Sequence, residues 1–444
     1  MMVTAIVGRR PAMKTRKPSA FLSAALPLFL TMMVSAAFGQ AREPVLSLAA
    51  KEKPGLLETL SEIVSIESGS RDYAGLGKLA EVIAKKLSDL GGQVDLIEPN
   101  NIYKMEDTPE KIGKMVRATF TGTGTKKILL IAHMDTVYPS GMLRQQPFRV
   151  EGNRAYGLGI ADDKQGIALI IHTLALLKTM NFRDYGTLTV LINADEEISS
   201  PGSRSLITKL GAEHDATFSL ESSRAESDQL SLATSGIAAV TLTVKGRASH
   251  SGFAPEQGIN ALYELAHQIL QTRDLSNPAT GLKMNWTLAN AGTTRNMIPP
   301  GAQAAADVRV LGVADYDEIE RKVRERLKNQ LLPDAKVEMN FERRRPPLEA
   351  SAASRALAQH AQKIYRELGK ELVVNDQPEG GGTDAAFAAL HTEAPVLERL
   401  GLQGYGAHSA DAEYILIDSI EPRLYLLARV IMDVSQGKTP ERAK

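Results

Sequence analysis

The sequence predicts an α/β fold with a mixed, mostly parallel sheet and a smaller inserted domain of ferredoxin-like order. Three observations carry this expectation. Apolar strand-like runs alternate with helical patterns through the first half of the chain, as in a parallel sheet covered on both faces. The middle changes rhythm to β-α-β-β-α-β over about 110 residues. Helix and strand patterns of the first kind then return, so the smaller domain interrupts the larger one.

Residues 1–41 are expected to lie outside the fold. Arg9, Arg10, Lys14, Arg16 and Lys17 form a basic stretch, and residues 20–38 are apolar apart from Ser23, Pro27, Thr31 and Ser35. Small residues at Ala37, Gly39 and Ala41 complete a secretory signal cut after Gly39 or Ala41, with Met13 as an alternative start. The mature chain would then be periplasmic or secreted. The competing reading of this stretch is an uncleaved membrane anchor. No other run approaches the roughly 18 apolar residues a spanning helix needs, so no stable membrane partner is expected.

The larger domain is expected over 42–235 and 346–444, with the insert at 236–345. Residues 55–67 and 74–91 place apolar side chains three and four apart and read as helices. A strand is expected over 126–137, with Ile-Leu-Leu-Ile-Ala buried and the polar His133-Met-Asp135 at its end. A helix over 163–180 opens at an Asp pair. Strands over 186–195 and 217–220 run out at Glu196-Glu197 and at Glu221. In the insert, strands are expected at 237–245, 286–291, 304–311 and 337–343, with helices at 255–273 and 316–331. Helices at 351–368 and 384–390 and a strand near 395–399 follow.

Composition excludes several classes. The chain has 444 residues, enough for one large and one smaller domain. It carries 52 Lys+Arg against 52 Asp+Glu, and Arg343-Arg344-Arg345 is too short a run to make a nucleic-acid surface. There are no cysteines, so disulfides, a lipoprotein anchor and thiolate metal ligands are all excluded. A zinc ion would have to be held by His, Asp and Glu.

Residues of those types cluster where predicted strands end, the place where an open α/β sheet collects its ligands. His133, Asp162, Glu197, Glu221 and His408 suit two zinc ions sharing one carboxylate, with Asp162 as the bridge. His133 and Asp135 stand two apart on one face, so the Asp135 carboxylate is expected to accept the second ring N–H of His133. Asp163 would cap the helix that follows it. Glu196 and Glu197 are adjacent carboxylates at the end of an apolar strand and repel each other unless a cation lies between them. Glu197 is assigned to a metal. Glu196 is assigned as the general base that takes a proton from the attacking water and gives it to the leaving amine. His408 sits in the glycine-rich Gly404-Tyr-Gly-Ala-His408. His172, His267 and His360 read as packing or surface residues, and His214 and His391 receive no role.

These residues resemble the zinc aminoacylase/carboxypeptidase family, which includes acetylornithine deacetylase and succinyl-diaminopimelate desuccinylase. The resemblance is strongest to its exported bacterial glutamate carboxypeptidases, which remove C-terminal glutamate from folates. It covers nearly all of the mature chain and rests on His133-Met-Asp-Thr-Val-Tyr138, Gly159-Ile-Ala-Asp-Asp-Lys164, Ala194-Asp-Glu-Glu197, Ala248-Ser-His250, Gly380-Gly-Gly-Thr-Asp-Ala-Ala386 and Ala412-Glu-Tyr414. It implies a di-zinc exopeptidase-like catalytic domain with an inserted lid and dimerisation domain, and a homodimer. His133, Asp162 and Glu221 would hold one zinc, and Asp162, Glu197 and His408 the other. His250 would stabilise the oxyanion, in many dimeric relatives at the other subunit's site. Asn296, Arg345 and Gly381 would bind the substrate's carboxylate end, where an Arg fork matches a carboxylate. The Asp162–Asp163 peptide would be cis.

Gln229 precedes Leu230-Ser-Leu232 where the folate-cleaving pattern has a lysine, and Glu379 is a further change before the glycine run. The expected activity is therefore hydrolysis of an amide or peptide next to a free carboxylate, with glutamate release leading. A broader N-acyl-amino-acid hydrolase or dipeptidase is the alternative. A periplasmic solute-binding protein would share the export signal and size but has no use for the acidic pair and the ligands.

Overall fold

The computed structural model describes residues 40–409 and 411–439. The expected export signal falls almost wholly outside the described residues. Among the described residues, no helix is long and apolar enough to cross a membrane.

The chain opens with α1 (Val45–Val64) and α2 (Tyr73–Asp89). Helix α1 begins ten residues before the expected 55. Pro54, which reads as a first-turn residue, lies inside the helix on its exposed side, where the carbonyl it leaves unpaired can be hydrated. Then come β1 (Gln93–Ile97), β2 (Met115–Thr121) and β3 (Lys127–His133). Helix α3 (Gln165–Thr179), β4 (Thr187–Asn193), α4 (Arg204–Glu213) and β5 (Ala216–Ser219) complete the first part.

Next is a separate four-stranded sheet of β6 (Gly236–Lys245), α5 (Ala261–Thr272), β7 (Lys283–Ala291), β8 (Gly301–Val310), α6 (Asp315–Arg326) and β9 (Lys336–Arg345). Its strand order is β7-β8-β6-β9, all antiparallel, and β7 is an exposed edge. Val240, Leu242, Leu265, Val308 and Ile319 form a core of its own, with α5 and α6 supplying the helical half. Finally α7 (Ala352–Arg366), α8 (Ala385–Ala389), β10 (Val396–Leu397) and α9 (Ile420–Ser435) return to the first core.

The main sheet runs β1-β2-β4-β3-β5-β10. The pairs β4–β3, β3–β5 and β5–β10 are parallel, and β1–β2 and β2–β4 antiparallel. Helices α1, α3 and α9 pack together on this sheet through residues such as Leu56, Ile170 and Leu427, all fully buried. Register sets the site. His133 pairs with Asn193, and Ile131 with Ser219. The chain therefore delivers His133, Glu196-Glu197 and Glu221 from three neighbouring strand ends at the same edge.

Candidate metal centre

His133, the last residue of β3, is buried. Its Nδ1 lies 3.0 Å from the backbone oxygen of Asp135 and 3.3 Å from that residue's Oδ1. Asp135 thus meets this nitrogen through both its carbonyl, the nearer, and the expected carboxylate, because the turn after β3 folds back on the ring. With Nδ1–H directed there, Nε2 is left to ligate. The Asp135 carboxylate also acts on the neighbouring turn. It accepts the backbone N–H groups of Glu196 at 3.0 Å and Glu197 at 3.1 Å, and the Ser70 hydroxyl at 2.8 Å. These N–H groups open a single 3-10 turn and have no partner within it.

Asp162 sits in a loop that enters α3 through Gly159 in the left-handed region, φ 71°. A side chain at Gly159 would come within 2.4 Å of Thr136. The Asp162–Asp163 peptide is cis. Glu413 holds this loop. Its carboxylate accepts the N–H groups of Gly159, Ala161 and Asp162 at 2.8–3.1 Å and the Tyr138 hydroxyl at 2.6 Å. Asp163 does not cap α3; its Oδ1 accepts from the Gln165 amide at 2.6 Å.

The two oxygens of Asp162 face different histidines. Oδ1 lies 3.0 Å from His133 Nε2, and Oδ2 lies 3.2 Å from His408 Nε2. Glu221 comes within 3.4 Å of His133, and Glu197 within 3.1 Å of His408. Two triads result, His133–Asp162–Glu221 and Asp162–Glu197–His408, each with ligand atoms within 4.8 Å of one another. The donor set fits two zinc-like cations on a shared carboxylate.

The electrostatics point the same way. Burial opposes protonation of His133, but Glu221, Asp135 and Asp162 raise its pKa well above the usual histidine range. Hydrogen bonds to Asp162 and Glu197 push His408 up to about 11. Burial and the Asp162 charge push Glu197 up to about 7. The protein alone thus draws protons into the centre to balance converging carboxylates, and cations would displace those protons.

Glu196 is buried beside this centre. Burial pushes its carboxyl well up, while Arg345 and His133 pull it down. At the strand end it is not alone: Arg345 Nη2 lies 2.9 Å from its Oε1 and donates to its carbonyl at 2.7 Å. Nη1 of the same arginine donates to Asp384 at 2.8 Å. Arg345, reached from the end of β9, is itself buried. Glu196, Arg345 and Gly381 all line a cavity of about 750 Å³ between the metal centre and the second sheet.

His250 and Asn296 do not line that cavity; both are exposed on the second sheet's loops. His250 Nδ1 accepts from the N–H groups of Gly252 and Phe253, so its ring proton sits on Nε2, which can donate. Among the other histidines, His172 bridges Glu52 and Thr59, and His360 meets Asp433. His214 is buried between Leu210 O and the Thr189 hydroxyl, closing the end of α4. The sequence reading assigned no role to Glu413 or Asp384, although both lie in the phrases Ala412-Glu-Tyr414 and Gly380–Ala386.

Comparison with known proteins gives likenesses of sequence and of structure. A profile of peptidase family M20/M25/M40 matches residues 129–433. The chain is 42% identical over 424 residues to carboxypeptidase G2 of Pseudomonas sp. (strain RS-16), covering 95% of this chain and 100% of that protein. In structure it is similar to aminopeptidase PepT from Bacillus cereus (TM-score 0.68, 22% identity, 86% of this chain and 98% of that one). It is similarly close to the M20 family metallo-carboxypeptidase Sso-CP2 from Sulfolobus solfataricus (TM-score 0.68, 17% identity, 85% and 98%).

Proposed function

The chain belongs to peptidase family M20/M25/M40, and we propose that within this metallohydrolase family it is an exported di-zinc glutamate carboxypeptidase. It would cleave the amide that joins a C-terminal glutamate to an N-acyl, peptidyl or folate-type group. The observation that carries this reading is Asp162, which presents one oxygen to each of two histidine-carboxylate groups beside the buried Glu196. Full-length similarity to a protein named carboxypeptidase G2 supports the reaction.

His133, Asp162 and Glu221 would hold one ion, and Asp162, Glu197 and His408 the other. Bound there, the ions would supply Lewis-acid polarisation of the amide carbonyl and a lower pKa for the attacking water. Glu196 takes the water's proton and passes it to the departing amine. Asp135 keeps the turn bearing Glu196 and Glu197 against the end of β3. Arg345 holds Glu196 with part of its five-donor fork and turns the remainder to the substrate's carboxylate, beside the open backbone at Gly381. Asn296, outside the cavity of its own chain, would bind substrate at the second copy's centre.

The inserted domain, residues 236–345, acts as the lid and pairs two copies of the chain. The exposed edge strand β7 with Leu288, and Tyr263 and Leu270 on α5, support such a surface. His250 then serves the second copy's centre, because it lies outside the cavity of its own chain. The basic and apolar segment before residue 42 supports export.

The test is metal analysis combined with glutamate release from N-acyl-glutamates. We expect two zinc ions per chain and release of free glutamate. Glu196→Gln should keep both ions and lose about 10²–10⁴-fold in kcat, the worth of a general base. Near-full turnover in that variant would remove Glu196 from the mechanism.

A further inference from the structure

Four arginines line the cavity among the described residues. Three are matched to carboxylates of their own. Arg309 chelates Asp307 at 2.9 and 3.0 Å. Arg344 meets Asp107 at 2.8 Å, and Arg345 meets Asp384 and Glu196 at 2.8 and 2.9 Å. Arg399 differs. Among the described residues its guanidinium makes one hydrogen bond, from Nη1 to the Ser222 carbonyl at 2.8 Å.

Its nearest carboxylate, Glu379, is 3.9 Å away and already filled. Arg224 donates to Glu379 at 2.6 Å, Asn375 at 2.8 Å and Gln229 at 3.3 Å. Burial would raise the Glu379 carboxyl, but hydrogen bonds from Arg224 and Gln229 hold it below its ordinary value, so it stays anionic. Arg224 and Arg399 against Glu379 leave this wall with one net positive charge, next to a neutral Gln229.

The wall is also held in place. Arg399 has φ 65°, in the left-handed region that a long side chain rarely adopts. The buried Arg423 donates to the Arg399 carbonyl at 3.0 Å and pairs with Asp228, the residue before Gln229. The Arg399 side chain is 25% exposed. A cation so desolvated, with most of its five donors unmatched, gains more from an anionic partner than a surface arginine would.

We propose that Arg399 recognises the acidic side chain of the amino acid the enzyme releases, making it the residue that selects glutamate. This rests on the carboxypeptidase reading above and deepens it. The experiment compares kcat/KM for N-benzoyl-L-glutamate, its glutamine isostere and N-benzoyl-L-methionine in wild type, Arg399→Gln and Arg399→Lys, with zinc content measured for each. Wild type should prefer glutamate over glutamine. Arg399→Gln should cut that glutamate-over-glutamine ratio about 10–100-fold, the range of a charge-assisted hydrogen bond. Arg399→Lys should retain a larger part of it. A ratio unchanged in Arg399→Gln overturns the inference while leaving the carboxypeptidase reading intact. A wild type without the preference overturns the inference and the glutamate preference of that reading, but not amide hydrolysis. Failure of the zinc-loaded wild type to cleave any of the three overturns both.

Discussion

Asp162 meets one histidine through each carboxylate oxygen, so protons and cations compete for the same few atoms. His133 and His408 are both raised above the ordinary histidine value in the metal-free centre. A histidine must be neutral to ligate, so each ion that enters displaces a proton, and metal affinity falls as pH falls. Loading the apo-protein with two zinc ions at pH 7 should release about two protons per chain. Calorimetry in buffers of different ionisation enthalpy reads this number; a value of zero would mean that both histidines are already neutral before the ions enter. Metal content and turnover should decline together in acid. His133, Glu197 and Glu221 are legible in the sequence because each is an imidazole or carboxylate where an apolar run ends, whereas Asp162 and His408 stand in glycine-rich loops. The partners that orient them are not. Arg345 meets Glu196 across 149 residues and Glu413 meets Asp162 across 251, distances that no local pattern encodes.

Two elements show how the centre is held. The turn after β4 carries Glu196 and Glu197, and their N–H groups, unpaired within the turn, are tied to the Asp135 carboxylate. Asp135→Asn keeps the size but loses the charge and one acceptor. It should lower kcat or zinc affinity about 10–100-fold, as losses of groups that orient ligands do; unchanged kinetics and metal titration would leave Asp135 without this role. Helix α9 is the second element. Nearly every residue of it is buried, including Arg423, which pairs with Asp228 behind the cavity wall. Arg423→Met would strand the Asp228 charge and should cost about 3–5 kcal/mol of stability, read as a fall in Tm. Adding Asp228→Asn should recover part of it. Periodicity did not reveal α9, because Arg423, Arg429 and Asp433 interrupt its apolar run and are buried along with it. It placed α3, β3, β4, β5, β10 and the strands of the inserted sheet to within a few residues, since their apolar runs are sharp, and it missed β1, β2 and α4.

At the scale of the molecule, the cavity is assembled from the end of the main sheet and one face of the inserted sheet, with Arg345 at the join. His250 lies outside this cavity, beside the exposed Phe253. In the proposed dimer it completes the site of the other copy. His250→Ala should therefore lose turnover strongly while keeping zinc, since one oxyanion donor is worth about 3–4 kcal/mol. Mixing His250→Ala with Glu196→Gln chains should restore part of the activity, because one of the two sites in the mixed pair is then whole. No recovery from a verified mixed dimer would mean that each chain closes over its own centre.

The sequence by itself determined the alternation of helix and strand, the inserted β-α-β-β-α-β unit and the chemical types gathered at strand ends. These are local properties, written in periodicities of two and of three to four and in the polar residues that interrupt them. Only the tertiary structure decided which oxygen of Asp162 meets which histidine, that the Asp135 carboxylate braces the Glu196 turn, and that Arg345 shields Glu196. It alone showed that, of the cavity's four arginines, Arg399 is the one without a carboxylate of its own. The reason is physical: charge pairing depends on separations of a few ångströms between residues far apart in the chain, and those separations are set by strand register and by the burial of α9, not by any stretch of sequence near the groups themselves.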